Sequence, residues 1–124
     1  MTPILLSIAA TIMVATMLVH LILGQSRLIR PLLDEHAGVM QRPLARFIVP
    51  FVWHLTSLIG FILAAILLAW AWAPDYAQSV GVVATGTIFT IAGVVDAIGS
   101  RREHVGWPFL LAIGLLSLAT FAIS

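Results

Sequence analysis

Four long blocks of apolar residues, separated by short polar runs, constrain this chain more than any other feature. A bilayer core is about 30 Å thick, and a helix needs roughly 20 mainly apolar residues to cross it. Four stretches meet that requirement, at about residues 3–24, 49–73, 79–100 and 105–123. The first holds no charge, and the third holds a single acid, Asp96. Pro50 and Pro108 fall near the starts of the second and fourth, where a missing backbone N–H costs little. The 124-residue chain is 61% hydrophobic and 9% charged, too few charges to give a water-soluble globule its polar surface. The expectation is an all-α membrane protein, a single transmembrane domain over residues 1–124 folded as an antiparallel four-helix bundle. Short connections favour antiparallel neighbours.

Charge placement sets the orientation. Every basic Lys/Arg position is an arginine: Arg27, Arg30, Arg42, Arg46, Arg101 and Arg102. The first four lie between blocks one and two, the last two between blocks three and four, and the remaining turn around Pro74-Asp75-Tyr76 has none. The positive-inside rule then makes both arginine-bearing loops cytoplasmic and both termini non-cytoplasmic. Trp53 and Trp107 near the inner ends, and Trp70, Trp72 and Tyr76 near the outer end, read as interface anchors. The first block lacks a basic leading segment and a small-x-small cleavage site after Gly24, so it reads as a retained helix. The predicted location is a bacterial inner membrane, crossed several times, with the lipid bilayer as the first partner.

Several classes of function are excluded. No basic patch is interleaved with aromatics, so nucleic-acid binding has no support. The chain has no cysteine, which removes disulfides, thiolate metal sites and cysteine nucleophiles. No serine stands with a base and an acid in a recognisable order, so hydrolysis is not expected.

Histidine is the unusual residue in so apolar a chain, and all four copies fall in the arginine-bearing half. His20 lies about one turn before the end of the first span, His54 about one turn into the second, and Asp96 one turn before the end of the third. At 1.5 Å per residue, these three helices bring an ionisable group to one layer about 6 Å inside the boundary. His104 stands at the entrance to the fourth span. An ionisable residue at that depth faces the bundle or water and has a partner.

Three readings stand open. In the first, Asp96 accepts hydrogen bonds from His20 or His54 and fixes helix register. In the second, two imidazoles ligate a haem iron axially, or two His and an Asp hold a divalent metal. In the third, His and Asp exchange protons along a transport or channel pathway, although the middle of every span is uncharged. Small residues at Gly81, Gly86, Gly93 and Ala97, and at Gly114 and Ser117, are placed for close helix packing, within one chain or between copies.

The segment from Gln25 to Ile48 reads as a cytoplasmic loop broken by Pro31 and Pro43. It carries Arg27, Arg30, Arg42 and Arg46 beside the acidic run Asp34-Glu35 with His36. The acids are expected to pair with the arginines, and the loop is the natural docking surface for a partner.

The stretch His20-Leu-Ile-Leu-Gly-Gln-Ser-Arg-Leu-Ile-Arg-Pro-Leu-Leu, with Phe51-Val-Trp-His-Leu-Thr-Ser-Leu, resembles a group of small uncharacterised bacterial inner-membrane proteins. The resemblance covers roughly the first half of the chain and draws attention to His20 and His54; it implies no activity. Small multidrug transporters are similar in length but rely on a glutamate in the first span, which is absent here. Small fluoride channels are echoed only faintly by Thr85 to Thr90, and the one-sided arginine distribution does not suit their dual insertion. The leading expectation is therefore a non-enzymatic membrane component that binds a membrane-protein partner or forms a homo-oligomer. A haem- or metal-binding electron-transfer protein is the alternative, and a transporter or channel subunit comes third.

Overall fold

Proline decides where several helices begin and where one changes register. In the computed structural model, which describes residues 1–123, helix α1 runs over Thr2–Gly24 with Pro3 in its first turn. The backbone then widens into a π-helical turn, Gln25–Ile29, and continues as a short α2, Arg30–Asp34. Pro31 accounts for the change. It has no N–H to give, and its ring would press on the carbonyl four residues back in an ordinary α-helix. The wider path, in which the Arg30 N–H reaches the Gln25 carbonyl, relieves both.

The long loop expected at residues 25–48 is thus mostly helical. What remains is residues 35–42, with a 3-10 turn at Gly38–Gln41 and positive φ at His36 (47°) and Gly38 (55°). Buried Ile29 and Met40 anchor its two sides. Helix α3, Pro43–Trp72, starts at residue 43 rather than about 49, because Pro43 supplies the first turn with a preset φ. Pro50 consequently sits inside the helix, where it leaves the Arg46 carbonyl without its usual intrahelical donor. A 3-10 turn, Pro74–Tyr76, leads into α4, Ala77–Gly99, and α5 covers Trp107–Ile123.

Three of these helical stretches are long and apolar enough to cross a membrane: Thr2–Asp34, Pro43–Trp72 and Pro74–Gly99. The fourth, α5, has 17 residues, at the short limit for a span of about 17–25. The described residues contain no strand, so the chain is all-α, as its hydropathy requires.

Neighbours in the chain are neighbours in space. Helix α1 packs on α3, α3 on α4 and α4 on α5; these are the extensive interfaces, and they form an open row. All are antiparallel. Gly24 lies against Trp53 while Gly60 lies against Met17; Gly99 meets Phe47 while Gly81 meets Ile66; Gly93 meets Leu111 while Gly86 meets Leu118. The closest approach joins α4 to α5. A Cβ at Gly93 would stand 2.7 Å from the Leu111 backbone nitrogen, and one at Gly114 would stand 2.8 Å from the Thr90 Cα. At such separations, only glycine lets the backbones meet.

The end of α4 is unusual. The Arg102 N–H bonds to the Ala97 carbonyl and the Arg101 N–H to the Ile98 carbonyl, the paired bonds of a Schellman cap. Its left-handed position is normally glycine, yet Arg101 has φ 53° and Arg102 φ 66°. An L-residue with a Cβ is disfavoured there by roughly 1–2 kcal/mol.

Two substitutions follow from this packing. Gly114→Leu should lower stability by roughly 1–3 kcal/mol in detergent-titrated unfolding, because the added side chain meets Thr90 backbone that cannot yield. The control Ala112→Leu, on an exposed position of the same helix, should change little; equal losses would mean that Gly114 does not face α4. Arg101→Gly should instead raise stability by about 1 kcal/mol, by restoring the residue that the left-handed turn prefers.

Candidate functional site

The polar layer divides into two separate clusters and a lone histidine. The first cluster lies between α1 and α3. The His20 ring stacks on the Trp53 indole, with centroids 4.0 Å apart and planes 10° from parallel. His20 Nδ1 and the Ser57 hydroxyl share a hydrogen bond of 2.9 Å, and the Trp53 indole N–H donates to the His20 carbonyl at 3.1 Å. Trp53 and Ser57 are four residues apart on α3 and so share the face turned to α1. Gly24, four residues beyond His20, opens the space that the indole fills; a Cβ there would stand 2.7 Å from two of its ring atoms.

The second cluster closes the arginine-bearing end of α4. Asp96 is fully buried, and His104 Nδ1 donates to its Oδ2 at 2.6 Å. The Ser100 hydroxyl and N–H both donate to the Asp96 carbonyl, at 2.6 and 2.9 Å. The left-handed pair Arg101 and Arg102 turns the chain back, and this reversal returns His104 to the carboxylate eight residues before it. Asp96 Oδ1 is buried with no protein partner.

Asp96 therefore pairs with His104, and not with His20 or His54 as its depth in the membrane suggested. His54 stands apart. Its Nδ1 is buried without a partner, and the ring lines an apolar groove between α3 and α4. His20 is engaged on the α1 side of α3 and His54 opens on the α4 side, so the two imidazoles present no common axial position. Among the described residues, no three His, Asp or Glu side chains come together as a metal-binding group. The Ser57–His20 contact has the composition of a nucleophile and its base, but Ser57 is fully buried and no carboxylate orients His20.

The loop residues are placed differently from expectation. Arg27, Arg30, Arg42, Asp34, Glu35 and His36 are all exposed, yet no arginine forms an ion pair among the described residues. The expected salt bridges to Asp34 and Glu35 are absent, because the acids lie at the frayed end of α2 beside a left-handed His36. That ring bonds back to the Asp34 carbonyl at 3.0 Å. Arg46 alone is engaged, donating to the Leu33 carbonyl at 2.7 Å and so capping α2 from α3.

Two participants were not singled out by sequence reasoning. Trp53 reads from the sequence as an interface anchor, and nothing there assigns a role to Ser57. Their four-residue spacing, opposite a Gly24 that follows His20 by the same interval, is the signal that pairs them. Trp72, exposed at the other end of α3, ties it to α1 by donating its indole N–H to the Ser7 hydroxyl at 2.8 Å. No protein-family model, curated protein or solved structure matches this chain.

The second cluster makes an asymmetric prediction. His104→Ala leaves the buried Asp96 carboxyl group with no partner and should cost about 1–3 kcal/mol, with water access at the partly exposed His104 position favouring the lower end. Asp96→Asn keeps a hydrogen-bonding group opposite the imidazole and should cost less. If detergent-titrated unfolding ranks the two variants the other way, the contact is not what holds this turn.

Proposed function

We propose that this chain is a four-span protein of a bacterial inner membrane, both termini non-cytoplasmic, that acts by association rather than catalysis. It would bind a membrane-protein partner or further copies of itself, with its His/Asp layer serving as internal fasteners. The observation that carries this reading is the closure of the polar clusters. The Ser57 hydroxyl and the Trp53 indole both bond to His20. The Asp96 Oδ2 and carbonyl are held by His104 and Ser100 across the α4–α5 turn, leaving Asp96 Oδ1 without a protein partner. Groups consumed in this way hold helices in register and are not free to turn over a substrate.

The orientation rests on the arginines, all six of which stand at the end of the molecule opposite its termini. The association reading is supported by the open row. In its most apolar window, only 6% of the α1 rod is buried within the chain, so one whole side of the molecule is free to meet another protein. The exposed arginine-bearing segment offers charged contacts at the cytoplasmic end.

The absence of cysteine makes a direct test simple. Single-cysteine variants at Thr2 and Gly38 should label with a membrane-impermeant maleimide from opposite sides of sealed vesicles, Gly38 only from the cytoplasmic side. Cysteines on exposed positions Ile12 and Leu116 should, on oxidation or with a bifunctional reagent, trap a species at twice 13.4 kDa or at one other reproducible mass. Labelling of both sites from one side would remove the topology. Only monomer at every exposed position would remove association.

A further inference from the structure

The groove between α3 and α4 is apolar and runs along one half of the two helices. It encloses ≈ 510 Å³ and is walled by apolar surface that includes Phe51, Leu58, Ile88, Ile91 and Val95, with the His54 ring among them. Along α3 it extends from Phe47 to Leu58, which at 1.5 Å per residue is about 16 Å. That is one leaflet, half of a hydrocarbon core about 30 Å thick. The groove begins where α3 and α4 touch at their arginine-bearing ends, since a Cβ on Gly99 would run into the Phe47 ring.

Three arginines flank that end. Arg42 immediately precedes α3, and Arg101 and Arg102 follow Ser100, the residue that caps α4. All three are exposed, and none pairs with a carboxylate among the described residues; Glu103, the acid in the same turn, forms no ion pair with them. Arg101 and Arg102 hold left-handed backbone where glycine would be easier, so cationic side chains stand there at a steric cost. A leaflet-long apolar slot below and unneutralised guanidinium groups above match the two parts of one molecule. The slot accepts an acyl chain and the guanidinium groups accept a phosphate by charge-assisted hydrogen bonds.

We infer that the α3–α4 groove is a binding site for an anionic phospholipid of the arginine-facing leaflet. An acyl chain lies along Phe51, Leu58 and Ile91, and the phosphate meets Arg42, Arg101 and Arg102. The site is independent of the association reading, because it uses the middle of the row and leaves α1 and the outer face of α5 free.

Native mass spectrometry of the full chain, released from mild detergent after incubation with equimolar phosphatidylglycerol and phosphatidylethanolamine, tests the inference. Phosphatidylglycerol should be retained at least fivefold over phosphatidylethanolamine, and raising the salt concentration should release it. The triple variant Arg42→Gln, Arg101→Gln, Arg102→Gln should abolish the preference, as should Val95→Trp, which places an indole in the path of the chain. Far-ultraviolet dichroism would confirm that each variant keeps its helix content. Equal retention of the two lipids by the unaltered protein overturns the inference without recourse to any variant. So does retention by the Val95→Trp protein, or equal binding of glycerol phosphate lacking acyl chains. A dimer that forms without lipid and dissociates on Val95→Trp would make a second copy the occupant, and overturns it likewise.

Discussion

In hydrocarbon a leucine gains nothing by leaving lipid for another helix, so the fold depends on how closely its backbones can approach. Every interface in the row has glycines at its contacts: Gly24 and Gly60 between α1 and α3, Gly81 and Gly99 between α3 and α4, and Gly86, Gly93 and Gly114 between α4 and α5. Each admits a bulkier partner on the opposite helix, or the opposite backbone itself. Dispersion contacts are individually small, and they accumulate only where no side chain holds the surfaces apart. The α4–α5 pair, with three such positions, is the most intimate in the molecule.

On that close packing the polar groups act as fasteners, and their distribution divides the molecule in two. His20, Trp53 and Ser57 lock α1 to α3. Asp96, Ser100 and His104 lock α4 to the turn that begins α5. No side-chain hydrogen bond joins α3 to α4 among the described residues, and it is there that the apolar groove opens and His54 is left without a partner for Nδ1. The chain is thus two fastened helix pairs joined along an apolar seam.

Much of this was legible in the sequence, and the boundary of what was not is physical. Block length and the arginine split gave the helices, their alternation and the common end of the termini, because hydrocarbon thickness and charge cost act on each segment separately. Position near a helix end was legible for His20 and Asp96, about one turn before the ends of α1 and α4. It was not for His54, because α3 begins at Pro43 rather than near residue 49, which puts His54 about three turns inside its helix. Partners were not legible either. Position along a helix says nothing of its rotation about its axis relative to a neighbour, so Asp96 was matched by depth to His20 or His54 while the chain reversal at Arg101 and Arg102 delivered His104. The π-turn before Pro31 was also hidden. Proline ordinarily marks a break, and only the wider backbone path lets the helix pass through it.

The apolar seam and the exposed arginines without acidic partners are found at neighbouring ends of α3 and α4. Two helix pairs joined by apolar contact alone could slide or splay in a medium that does not penalise exposed leucine, and the polar fasteners within each pair do nothing to resist that. Protein charges cannot close the seam either. Asp34, Glu35 and Glu103 are all exposed beside the arginines, and none is in ion-pair range of them. On the lipid-site inference, the phosphate neutralises Arg42, Arg101 and Arg102, and the same molecule supplies a chain for the slot beneath. A lipid held at both ends of that geometry would touch α3 and α4 together, and would couple two helix pairs that the polypeptide leaves joined only by contact.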